Sequence, residues 1–279
     1  MAGLQWFHRP VLKDPVGLLA FAGWGDAGES ASQAAIAFLE ELDSELIAVI
    51  DPDDHFDFQV RRPIVELDGA GIRSITWPEN EIHAVRGAER DLVVVLGEEP
   101  HYRWKAFTTE VVEALRSLGV TQAVTMGAFI GQVAHTLPVP LVGSSNRPDN
   151  LAIHGLLSSG YEGPTGIVGV LNHALGFSGI DVTSLWAAVP HYLSNQEYPP
   201  ATEALAIKAS ELLGVTIGID DLTQATRQFL STVDEAISTN ADLVRYVQRL
   251  EEQTDEDEVE GTVRLVEEIE DFLRDHPGA

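Results

Sequence analysis

The chain has 279 residues, no cysteine, 44% hydrophobic residues and a formal charge of −27 from 44 acids against 17 bases. That length and content suit one large core with or without an appendage, and the missing cysteines exclude disulfides, thiolate zinc sites and a cysteine nucleophile. The acidity repels phosphate backbones and anionic lipid, so neither nucleic acid nor a membrane surface is an expected partner. Solubility or a salt-adapted setting is its plain reading, and a basic partner surface the functional one. No apolar run reaches transmembrane length and MAGLQWFHRPVLKD lacks a secretory pattern, so the chain reads as cytoplasmic.

In chain order, VGLLAFA (16–22), LIAVI (46–50), DLVVVLG (91–97), QAVTMGA (122–128) and LWAAVP (185–190) read as strands. Several are apolar on both faces, as in a parallel or mixed sheet. Between them, Glu29 to Leu42 and Trp104 to Leu118 read as helices. The second carries Phe107, Val111, Ala114, Leu115 and Leu118 at three- and four-residue steps, with Gly119 placed to cap it. The alternation predicts a three-layer α/β sandwich over residues 1–198.

After Tyr198 the pattern becomes helical, which predicts an α-helical C-terminal appendage over residues 199–279. Ala201 to Leu213 ends at Gly214. A second run from Leu222 aligns Phe229, Val233 and Ile237, and a third aligns Leu243, Val247 and Leu250. The tract EEQTDEDEVEG then reads as a solvated loop, with an acidic docking surface as the alternative. A last amphipathic run holds Val259, Val263, Val266, Ile269, Phe272 and Leu273.

The stretch FAGWGDAGES (Phe21 to Ser30) contains Gly-x-Gly-x-x-Gly spacing between a strand and a helix. It has no lysine, and Asp26 and Glu29 put negative charge where a pyrophosphate would sit. Both acids suit the helix N-terminus directly, so a capped structural turn is preferred to a cofactor cradle. Asp51, after LIAVI, keeps a dinucleotide reading open. Arg61 and Arg62 read either as a grip for a carboxylate or phosphate, or as neutralisers of Asp53, Asp54, Asp57 and Glu66.

LGEEPHYRW (Leu96 to Trp104) lies beyond a probable central strand, where open α/β sheets place ligands. Glu98, His101 and Arg103 there suit acid/base work, or else mark a helix start anchored by Trp104. His135 follows the next strand, and His191 follows LWAAVP. Gly163, Gly166 and Gly169 precede an apolar helix whose amides can hold an anion; an ordinary loop is the plainer reading. The candidate catalytic set is therefore Asp26, Glu98, His101, His135 and His191. The candidate ligand- or partner-binding set is Trp24, Gly25, Asp26, Gly163 and Gly166. No HExxH, close His/acid cluster or complete Gly-x-Ser-x-Gly elbow occurs, so neither a metal nor a cofactor is expected.

FAGWGDAG, LGEEPHYRW, GAFIGQVAHT, YEGPTGIVGVL and SLWAAVPHYL followed by Pro199 together resemble the prokaryotic proteasome assembly chaperone 2 family, over roughly residues 15 to 215. The resemblance implies an α/β sandwich similar to phosphorylase and peptidyl-hydrolase folds. It also implies a role in assembling or binding the proteasome core particle, without chemistry. Archaeal members and proteasome activators dock through a C-terminal hydrophobic-Tyr-any tripeptide. This sequence ends His276-Pro277-Gly278-Ala279, so that route is not expected. The helical appendage is similar to that of longer bacterial relatives. The expected function is a self-associating, non-enzymatic assembly factor with a proteasome-related or other protein partner. The alternative is a phosphorylase/hydrolase-like enzyme, or a nucleotide-type small-molecule binder, using the post-strand loops.

Overall fold

The structure, a computed structural model, describes residues 3–67, 69, 71–147 and 149–260, with side chains up to residue 253. Strands β1 (Leu4–Trp6), β2 (Val16–Ala22) and β3 (Asp43–Ile50) come first, with helix α1 (Ser30–Glu41) between the last two. A hairpin of β4 (Ile64–Leu67) and β5 (Arg73–Thr76) precedes β6 (Asn80–Arg86) and β7 (Leu92–Glu98). Helix α2 (Trp104–Ser117), β8 (Gln122–Gly131), β9 (Leu141–Ser145), α3 (Asp149–Ile153) and β10 (Leu157–Ser158) follow. The chain continues through α4 (Ile167–Phe177), β11 (Asp181–Pro190), α5 (Pro199–Leu213), α6 (Asp220–Ser238) and α7 (Ala241–Glu260).

Among the described residues, nine strands form the main sheet in the order β1-β3-β6-β7-β2-β8-β11-β9-β10. Its centre, β7-β2-β8-β11, is parallel, and β3, β6 and β9 join antiparallel. The two faces of β2 explain its unbroken apolar run. Leu18 and Ala20 point to a core shared with α1 and α5, while Leu19 and Phe21 point to one shared with α2 and α4. The result is a three-layer α/β sandwich.

Alanines and serines on the buried side of α1 let that helix lie close on the sheet, with Phe38 as its large anchor. Helix α5 stands beside it, with Ala201, Leu205, Ala206, Ala209, Leu212 and Leu213 all buried in the same core. The proline pair opens α5 and Gly214, at φ 64°, closes it. Helices α6 and α7 are more peripheral. Phe229 of α6 meets Tyr198 edge-on at 5.6 Å, and Val247 and Leu250 of α7 pack on Ala134.

One expectation changes. The acidic tract through Glu260 is helical, a continuation of α7 instead of a loop. Acidic residues spaced around a helix reach water as readily as those in a loop, so charge alone did not separate the two. The expected amphipathic run ending at Leu273 lies, apart from Val259, outside the described residues. Among the described residues no helix is long and apolar enough to cross a membrane.

Candidate functional site

The turn after β2 is built inward. Gly28 and Glu29 both take left-handed backbone, at φ 60° and 53°, which swings the chain from strand into α1. A Cβ on Gly28 would lie 2.8 Å from the Tyr198 Cβ, so only glycine fits there. Asp26 is 6% exposed and caps α1. Its Oδ1 accepts from the Ala31 amide at 2.6 Å and its Oδ2 from the Ser32 hydroxyl at 2.5 Å. Burial raises its carboxyl above the ordinary value, against the lowering effect of those hydrogen bonds. Both oxygens are thus committed to the fold. Glu29 makes no side-chain cap, so of the two acids in the turn it is Asp26 that serves the helix.

The dinucleotide reading fails on topology. Strand β3, which carries Asp51 at its end, is separated from β2 by β6 and β7. Asp51 instead accepts from the Asp53 amide and the Gln5 side chain. The adjacent βαβ pair that brings such an acid to a ribose is absent from the described sheet.

The remaining post-strand residues divide into separate groups. Glu98 ends β7 and pairs with Arg61 at 2.6 Å, so the arginine finds a partner other than its sequence neighbours. His101 accepts from the Asp57 amide on Nδ1 at 2.9 Å, which leaves its ring proton on Nε2 when neutral. Asp57 also takes the Tyr102 hydroxyl; the Gln59 amide, followed by that hydroxyl, lowers its carboxyl. Arg103 adopts φ 55° at the start of α2 and pairs with Asp54. Trp104 donates its ring N–H to the Pro100 carbonyl and packs on the α2 core.

His135 and His191 are brought together on the other side of the edge, through two tyrosines that the sequence reading did not single out. Tyr192 hydroxyl stands 2.8 Å from His135 Nδ1 and also accepts from the His135 amide at 3.0 Å. His135 Nε2 faces Asp234 of α6 at 3.1 Å. The consistent arrangement has Tyr192 donating to Nδ1 and His135 donating from Nε2 to Asp234. His191 Nε2 meets the Tyr246 hydroxyl of α7 at 3.0 Å. The Tyr192 hydroxyl is held above its ordinary value, first by burial. This network links the sheet to α6 and α7. Among the described residues no hydrogen bond joins it to Asp26, Glu98 or His101.

A separate cleft of about 560 Å³ opens between the ends of β2, β8 and β11 and the side of α4. Trp24 stands in it, 43% exposed. Trp186 lies across Gly127: a Cβ there would fall 2.5 Å from its ring. The Trp186 ring N–H donates to Ser184 Oγ at 2.7 Å. Gly25 touches the same ring, and Gly166 lies beside Trp24. Gly163 sits nearby, against Tyr161. At the α4 N-terminus, where an anion site was the alternative to an ordinary loop, the first amide is taken by an internal carboxylate. Ile167 N–H donates to Glu99 Oε1 at 2.8 Å. Glu99 was legible only as one of two consecutive acids; the helix that it caps lies 68 residues on. Among the described residues no group of three or more metal-ligating side chains is poised for an ion.

Comparison with known proteins supplies the family. No curated protein matches the sequence. A PAC2 family protein from Streptomyces avermitilis is 41% identical over 84% of this chain and 100% of its own, with a TM-score of 0.77. A Mycobacterium tuberculosis proteasome-assembly chaperone homologue is 34% identical over 83% of this chain and 99% of its own, also at 0.77. A protein of unknown function from the same organism is 25% identical, with a TM-score of 0.86, and covers 97% of this chain and 96% of its own. The PAC2 family pattern itself matches residues 20–237. From the last residues of β2 to the last turn of α6, then, the chain belongs to the PAC2 family.

Proposed function

We propose that this protein is a non-enzymatic assembly factor that self-associates and binds a protein partner of the proteasome-related kind, in the cytoplasm. The observation that carries this reading is the β4–β5 hairpin. Its register pairs Val65 with Ile75 and Leu67 with Arg73, so Val65, Leu67 and Ile75 share one face. They are 55%, 64% and 57% exposed. Val60, Ile64, Ile72 and Trp77 add further exposed apolar surface nearby. A hairpin standing outside the main sheet is marginal on its own, and a continuous exposed apolar face marks an interaction site. Residues 57–77 carry three acids and three arginines in a chain of charge −27. This neutral arm can approach a second acidic copy where other surfaces repel. The relative described as a proteasome-assembly chaperone homologue supports the choice of partner class.

The test is light scattering of the full chain against a Val65→Asp/Ile75→Asp variant, followed by pull-down with each. The native chain is expected to be oligomeric and to retain a specific partner, and the variant to be monomeric. A native chain that stays monomeric at high concentration removes the reading. Truncation at residue 198 is unsuitable, since it strips α5 from the core.

A second reading, an enzyme of the phosphorylase or hydrolase type, is favoured by the His135–Tyr192–Asp234 network alone. Hydrolysis or phosphorolysis abolished by His135→Gln in a folded chain supports it; activity unaffected by that change removes it.

A further inference from the structure

We propose that the cleft beside α4 is a binding site for an uncharged, planar small molecule bearing amide-type hydrogen-bonding groups. Its volume of about 560 Å³ lies within the range of small-molecule pockets, roughly 300–1,000 Å³. Its walls hold the rings of Trp24, Phe129, Tyr161 and Trp186, which favour a flat ligand by stacking and edge contacts. Among the described residues no charged side chain lines it.

The surroundings select against charge of either sign. Phosphate or carboxylate would find no basic side chain in the lining, while Glu99 stands beside Gly23 and Gly166 at the rim. A cation would want a free carboxylate, but Glu99 Oε1 is already bonded to the Ile167 amide. Polar groups are nonetheless present. Ser144, Ser184 and Asn172 line the cleft, and Asn172 Nδ2 has no acceptor. A buried donor without a partner is costly, and a ligand carbonyl reaching it would satisfy it.

The inner wall is fixed in advance. Trp186 is held against Gly127 and Gly25 by contact and to Ser184 by its ring N–H. A wall ordered before binding need not be ordered by the ligand. This cleft does not use the His135 network, so the ligand class is independent of whether that network is catalytic.

The experiment is ligand-observed saturation-transfer NMR on the full chain with two matched pairs: nicotinamide against nicotinate, and uracil against orotate. Each pair keeps a ring and exchanges an uncharged edge for a carboxylate. At least one uncharged probe is expected to bind saturably, with its carboxylate partner at least tenfold weaker. Trp24→Ala and Asn172→Leu are each expected to weaken the uncharged probe at least tenfold. Val11→Ala, at an exposed position away from the cleft, is expected to leave it unchanged. Circular dichroism melting confirms that the variants fold. The proposal is overturned if neither uncharged probe binds saturably, if the carboxylates bind equally well, or if both cleft variants bind like the native chain.

Discussion

The turn after β2 and the β4–β5 hairpin are opposites. In the turn, polar and conformational demands are answered from within: Asp26 caps α1, Gly28 makes room for Tyr198, and Gly25 lets Trp186 lie flat. In the hairpin, an apolar face is formed correctly and covered by nothing in the described structure. The lesson concerns where function can be sought. Asp26 and Gly28 look like chemistry but are consumed by folding, whereas an ordinary-looking alternation of Val, Leu and Ile is left over for something else.

The largest expected effect should come from breaking the turn. Gly28→Ala forces a Cβ into left-handed backbone and against Tyr198. It should destabilise by about 3 kcal/mol, combining conformational strain with overpacking, as read by urea unfolding. A cost below about 1 kcal/mol would mean that the turn relaxes freely.

Next, Asp26→Ala should cost about 2 kcal/mol through the lost cap and its stranded donors. Asp26→Asn sharpens the point through pH. The folded-state carboxyl is raised, so the folded chain holds the proton more tightly than the unfolded chain. That contribution is full below about pH 4 and is lost as pH rises through the folded value. The native chain should therefore lose stability relative to Asp26→Asn as pH climbs above about 4 and through the folded value. Parallel unfolding curves across that window would contradict this.

Smaller effects belong to the hairpin. Arg61→Gln removes a half-exposed ion pair with Glu98 and should change stability by less than about 1 kcal/mol, with high salt erasing the difference. Val65→Ser with Ile75→Ser should move the melting midpoint of the dilute chain least, by the equivalent of about 0.5 kcal/mol or less, because both side chains are more than half exposed. A large loss would show the hairpin to be part of the protomer core.

The central strands and the helices were legible because both their faces, or one clean stripe, are buried. VGLLAFA (16–22) is β2 residue for residue. The antiparallel strands beside the parallel centre were less legible: β6, paired on both sides by β3 and β7, reads NEIHAVR, with polar residues alternating into partly buried positions. The hairpin was invisible because its apolar alternation is short and points at no core in this chain. The candidate residues were placed after the correct strands, but their grouping depended on contacts far apart in sequence. His135 reaches Tyr192 and, 99 positions on, Asp234. A reading of local motifs finds such residues one at a time and cannot pair them.

The position of β2 in the sheet has a consequence for biosynthesis. This uncharged, proline-free strand is the chain's first long one, yet its neighbours are β7 and β8. As the chain emerges from the ribosome, VGLLAFA therefore has neither flank available until residues 92–98 are made, and it is not enclosed until residues 122–131 follow. Long-range parallel pairing of this kind closes slowly, and segments of that composition aggregate when left open. A member of the PAC2 family thus carries, in β2, a segment that stays vulnerable until residues 122–131 have been synthesised.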